Sequence, residues 1–168
     1  TPPDGEDQLV YSVTTVLKMI NKPALPQWYA DAVAARVTAN PDGLFTRTEA
    51  EGFNWLRFAG SSVLKDLGEV GDRIHKYAES DLDWTVEVPD IIDERDAQLR
   101  EQWHALRAAH EIEPLYLEMT AWSHKHGYAG TLDGIGYIDG KLTLWDIKSS
   151  RSTWAEHFEQ LSALGNCD

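Results

Sequence analysis

The chain holds one cysteine, Cys167, in 168 residues. A single thiol excludes an internal disulfide framework and a four-cysteine metal cluster, and such usage fits a reducing, cytoplasmic setting. No apolar run approaches the roughly 20 residues that a bilayer-spanning helix needs, so no membrane partner is expected. No glycine-rich phosphate loop is present, and no ATP site is expected. Positive charge is scarce as well: 15 Lys and Arg stand against 28 Asp and Glu, a net charge of −13. Nucleic acid repels such a chain at long range. Any role on nucleic acid then needs a local basic patch, metal ions that offset the acids, or a partner.

What is present describes a folded globule. Hydrophobic residues make up 42% of the chain and there are seven Trp, too apolar for a disordered segment. The length suits one domain, residues 1–168, with its own core. "YSVTTVLKMI" is a short apolar segment, helix or strand, broken by the prolines of "NKPALP". "QWYADAVAARVTAN" reads as a helix stopped at "NPDG", and Thr48 with Glu51 reads as a capping box. Val63, Leu67, Val70, Ile74 and Tyr77 form a helical stripe over 62–80. Gly68 and Gly71 beside it would admit another backbone. "DIIDERDAQLREQWHALRAAH" reads as a largely solvent-facing helix.

Strand patterns follow. In "PLYLEMTAW" Leu115, Leu117 and Met119 share one face, while Tyr116, Glu118 and Thr120 share the other. "YAGTLDGIGYI" and "KLTLWDIK" are joined by "DGK", a hairpin signal. Thr153 and Glu156 read as a second capping box, opening a helix that stops at Gly165. The fold class is therefore α/β or α+β, a sheet flanked by helices.

The second strand of the hairpin carries an acid and a base. Residues two apart in a strand share a face, so Leu142, Leu144, Asp146 and Lys148 line up, leucines in the core and charges at the rim. Pairing across the hairpin would bring Asp133 to the same rim in one register. Two adjacent carboxylates repel each other, and a hard cation such as Mg²⁺ relieves that. Lys148 would then orient a water or stabilise charge on a phosphate. An ordinary hairpin with a surface Asp–Lys pair accounts for the same residues.

"GTLDG" followed by "LWDIKSS" resembles the core of the PD-(D/E)xK nucleases, with Asp133, Asp146 and Lys148 in the motif positions. Gly71 and His75 in "GDRIHKYAE", Glu118 in the preceding strand, Gln160–Leu161 downstream and the opening "YSVTTVLKMINKPALPQW" are similar to the RecB-type and phage exonuclease branch. The resemblance spans roughly residues 11–164. It implies a restriction-endonuclease-like core with a central mixed sheet of about four strands. It also implies a metal-dependent DNA exonuclease of phage-like recombination, replication or repair, placed in the host cytoplasm if phage-encoded. DNA would be its substrate, with a recombination or replication protein as a further partner. One or two Mg²⁺ or Mn²⁺ ions would be held by Asp133, Asp146, His75, the Ile147 carbonyl and Glu118. Lys148 would position the nucleophilic water and Gln160 would support Lys148 or the DNA. Ser149, Ser150 and Trp154 are candidate DNA contacts. The sequence departs from the pattern at Leu164, where relatives carry Tyr, and it ends soon after, which reads as a C-terminal truncation or an unusually small member. One cysteine cannot hold the iron–sulfur cluster of some relatives.

Other readings compete. An endonuclease or junction resolvase would use the same core. A catalytically idle DNA-binding or protein-interaction module would fit the acidic charge. A metallohydrolase built on His124 and His126 is a third, although "HKH" before Gly127 reads as a solvated loop. Thr14 and Thr15 read as helix-capping or strand residues, the other Trp residues as mostly core, and "SDLDWTVEVPDIIDERD" as a solvated acidic face.

Overall fold

The computed structural model describes residues 10–20, 22–150 and 152–168. Asn21, in the proline-broken segment, lies outside them. The architecture is α+β, a mixed four-stranded sheet with flanking helices. Contacts divide the chain into two compact units. One unit comprises the chain to Ile20 together with Asp72–Asp168, and the other the intervening stretch to Gly71.

The intervening unit is helical. Helix α2 (Leu25–Ala39) ends at Asn40 and passes into a 3-10 turn over Pro41–Gly43, as the "NPDG" signal requires. Helix α3 (Glu49–Arg57) opens on the expected box: the Glu51 amide donates to the Thr48 hydroxyl at 3.4 Å, and the Thr48 amide to the Glu51 carboxylate at 2.9 Å. Arg36 donates to the Trp55 carbonyl at 2.7 Å, and the Arg47 guanidinium lies 4.8 Å from the centre of the Trp55 ring system. Helix α4 (Ala59–Leu82) contains the predicted stripe. Its Gly68 faces open space instead of another backbone.

The other unit holds the sheet. "YSVTTVL" resolves into both expected forms, strand β1 (Tyr11–Ser12) and helix α1 (Val13–Leu17). Strand β3 (Tyr128–Ile138) is central, with β2 (Ile112–Ser123) antiparallel along one edge. Its other edge is shared: parallel β1 pairs with Tyr128 and Ala129, and antiparallel β4 (Lys141–Trp145) pairs with 134–138. Residues 130–133 lie between these partners. The β3–β4 turn is Asp139–Gly140, with φ of 50° and 75°, the left-handed pair a two-residue hairpin uses.

Two apolar clusters hold this unit. Ile74 and Ala78 of α4 pack with Trp103 of α5 (Glu94–Ala109) and Ile112. Val13, Leu132 and Leu164 of α6 (Ala155–Gly165) form the second, with Leu144 against it. Several expectations need correction. A bulge between Pro114 and Tyr116 interrupts the alternation of β2 and leaves Leu115 53% exposed. Leu142, one pair from the turn on an edge strand, is 64% exposed rather than core. Of the tryptophans only Trp103 is buried, its indole N–H donated to Asp81, whereas Trp84 is 91% exposed. Helix α6 starts one residue later than the Thr153 box predicts, with the Trp154 amide donating to His157 Nδ1 at 3.3 Å. The acidic run is partly structural: Asp93 caps α5, and Asp96 is buried against Arg73 at 2.8 Å.

Candidate functional site

The site forms where β4 separates from β3. The last pair of the ladder is Gly134 with Trp145, so the next residue of each strand is Asp133 and Asp146. The ladder stops there because the Ile147 amide donates to the Asp133 carboxylate. A backbone donor that loses its strand partner must find another, and the side chain of Asp133 supplies it. The unfixed register of the sequence thus resolves into the one that brings both acids to the same rim.

Each acid then acquires its own partners. Lys148 Nζ lies 2.5 Å from Asp146 Oδ2, and Gln160 Nε2 donates to Asp146 Oδ1 at 3.0 Å. The Gln160 carbonyl accepts from Lys148 at 3.3 Å, closing a triangle from α6. The Asp146 side chain is almost wholly buried and that of Lys148 is partly exposed, so Lys148 is the member of the pair that solvent or a ligand reaches.

Around Asp133 a second group gathers. His75, on the buried stripe side of α4, bonds through Nδ1 to Asp133 Oδ1 at 3.2 Å. Ligand atoms of His75, Glu118 and Asp133 lie within 4.8 Å of one another. Glu118 sits across from Asp133, since the flanking pairs are Leu117 with Gly134 and Met119 with Leu132. Its φ of 47° is unusual for a strand residue that is not glycine.

Electrostatics agree with this crowding. Burial pushes the Glu118 carboxyl above its ordinary value, and the charges of Asp133 and Glu79 push it further. The hydrogen bond to the Asp133 carboxylate raises His75, against the opposing effect of burial. One imidazole and two carboxylates this close suit a divalent cation, which would relieve the repulsion that raises Glu118. His75, Glu118 and Asp133 are therefore a donor set able to hold a divalent cation. Asp146, also read as a ligand, is engaged by Lys148 and Gln160, and the N–H of Ile147, whose carbonyl was read as a ligand, meets Asp133.

The remaining candidates separate. Ser149 is held by its carbonyl, which accepts from Arg95 at 3.2 Å. Ser150 bonds its own loop at the Ser152 carbonyl, and Trp154 is 57% exposed at the start of α6. His124 is bonded to Trp122 and lies in the 124–127 turn, and His126 stacks on Tyr128. Neither histidine belongs to the metal-competent group. Thr14 shares a hydroxyl contact with Ser12 at 2.8 Å. Two residues were not anticipated. Glu79, four positions after His75 on α4, was detectable from that helical spacing. Arg95 carries no sequence signal, because its partner is a main-chain carbonyl 54 residues away.

No family model matches the chain, and no curated protein is significantly similar to it. Among the described residues, no helix is long and apolar enough to cross a membrane.

Proposed function

We propose that this chain is a divalent-metal-dependent deoxyribonuclease that hydrolyses phosphodiester bonds at DNA ends. The observation that carries the reading is the partition of two adjacent strand-end carboxylates. Asp146 is neutralised by a fixed, partly exposed lysine, while Asp133 joins His75 and Glu118 in a donor set fit for a cation. A plain surface Asp–Lys pair requires neither a glutamine bridging both partners nor a histidine and glutamate converging on the neighbouring acid. The resemblance of "GTLDG" and "LWDIKSS" to PD-(D/E)xK nucleases points to the same chemistry.

In this reading His75, Glu118 and Asp133 hold the ion. Bound there, Mg²⁺ or Mn²⁺ would supply Lewis-acid polarisation of a phosphoryl oxygen and a more acidic water. Lys148 donates hydrogen bonds to the attacking water or the phosphate oxygens, where negative charge develops. Asp146 and Gln160 keep the ammonium aimed, so that little reorganisation accompanies reaction. The proposed setting is recombination or repair of phage-like type.

The test is digestion of end-labelled linear and closed circular DNA with Mg²⁺, Mn²⁺ or EDTA, comparing wild type with Lys148→Ala. Loss of the linear substrate alone, dependent on metal and reduced at least about 100-fold by the substitution, is expected. Cutting of circles would reassign the activity to an endonuclease. Undiminished cutting by the variant would remove Lys148 from the mechanism, and a folded, metal-loaded chain that cuts neither substrate would sink the reading.

A further inference from the structure

The segment that carries Asp146 and Lys148 lies beyond the last β3–β4 pair and has no regular secondary structure. Two side chains grip its backbone, one on each side of Lys148. Asp133 takes the Ile147 amide, and Arg95 Nη2 donates to the Ser149 carbonyl at 3.2 Å. Arg95 stands in the first turn of α5, and that same turn holds the helix bearing His75. Asp96 accepts from Arg73 Nε at 2.8 Å, and Asp93 lies 3.6 Å from Arg73 Nη2. Arg73 is two residues before His75. Asp93 in turn caps the helix by accepting from the Asp96 amide at 2.9 Å, which fixes the turn itself.

We propose that Arg95 is a positioning residue, the member of this α5 turn that sets Lys148 in register with the His75 side of the site. The proposal rests on the nuclease reading for its kinetic consequence but not for its structural one. A lysine ammonium on an irregular segment would wander over several ångströms, and a misplacement of about 1 Å at a reacting centre can cost on the order of 100-fold in rate. Arg95 removes that freedom through main-chain geometry without touching the ammonium. Its planar guanidinium offers several donors in a fixed fork, which lysine lacks. The brace also couples the two halves of the site, because one helical turn bears on both backbone segments.

The experiment compares Arg95→Ala and Arg95→Lys with Arg100→Ala, in the full chain. Arg100 is a control on the same helix, bonded to the Pro89 and Asp90 carbonyls and lying 4.2 Å over the Tyr77 ring. Amide hydrogen exchange is read at 147–150 alongside kcat and KM on linear DNA. Arg95→Ala is expected to raise exchange in that segment at least about tenfold while β2 and α6 keep theirs. It should lower kcat about 10- to 100-fold with KM within about twofold, and Arg95→Lys should recover part of the loss. Arg100→Ala should keep kcat at a comparable fall in melting temperature. Unchanged exchange at 147–150, or an equal kcat loss in Arg100→Ala, overturns the positioning role. Should the wild type cut no DNA while Arg95→Ala still loosens the segment, the nuclease reading fails and the brace stands.

Discussion

A Cβ atom at Gly136 would lie 2.2 Å from the Glu113 carbonyl oxygen and 2.8 Å from the Pro114 Cα. Both are backbone atoms of β2 beside its bulge, and backbone cannot swing aside as a side chain can. Gly136→Ala should therefore cost at least about 3 kcal/mol, at the upper end of overpacking effects. Gly140→Ala meets open space and bears only the strain of its positive φ, about 1 kcal/mol. Urea denaturation of both variants gives the order, and a milder loss at Gly136 than at Gly140 would refute the packing account. At this scale the sequence was informative about which charged residues meet and poor about exposure. Asp133, Asp146 and Lys148 are legible because an acid or base in an apolar strand needs a reason. Leu142 and Trp84 are not, since apolar character states a preference for burial and not whether a neighbouring element covers the site.

Among the elements, α5 shows how a polar helix can matter more than its pattern suggests. Its buried Asp96 accepts from Arg73 and from the Ile92 amide at 3.0 Å. Burial would raise the carboxyl, but the Arg73 bond, the Ile92 amide and the charge of Arg73 together hold it below the usual carboxylate range. A depressed folded-state pKa stabilises the fold above the unfolded value, about 3.9, and that contribution fades as pH falls through the folded value. Asp96→Asn should thus lose about 2 kcal/mol at pH 5.5, and the gap to wild type should narrow toward pH 3. Urea midpoints at the two pH values measure this, and a constant gap would detach Asp96 from the acid response. Periodicity foretold that α5 is a helix. It could not foretell the Arg73–Asp96 bond, whose partners stand 23 residues apart. The β3–β4 hairpin was a different case: "DGK" marked the turn, but the register was left open, and the two-residue Asp139–Gly140 turn of the structure fixes it. The bulge in β2 was invisible because alternation alone gives no warning of one inserted residue.

The whole molecule presents the hardest condition on function. A net charge of −13 opposes a polyanion, and the division into two compact units, which no composition shift along the chain announces, does not alter that total. In the proposed reaction His75, Glu118 and Asp133 offer one way around it, since a divalent ion there would cancel the charge of the two carboxylates where a phosphate would approach. DNA affinity should then depend on the metal before any bond is cut. With Lys148→Ala, to suppress cleavage, binding of fluorescently labelled DNA should be at least about tenfold tighter in Mg²⁺ than in EDTA, a difference of about 1.4 kcal/mol. Adding Glu118→Gln and Asp133→Asn should remove most of that gain while leaving the weak binding in EDTA unchanged or slightly improved. Raised sodium chloride distinguishes the cause, because general screening lessens repulsion in every variant alike, whereas a bound ion acts only where its ligands are intact. Equal affinity in Mg²⁺ and EDTA would mean that the acids at the site do not recruit a cation for substrate, and another surface would have to carry the DNA.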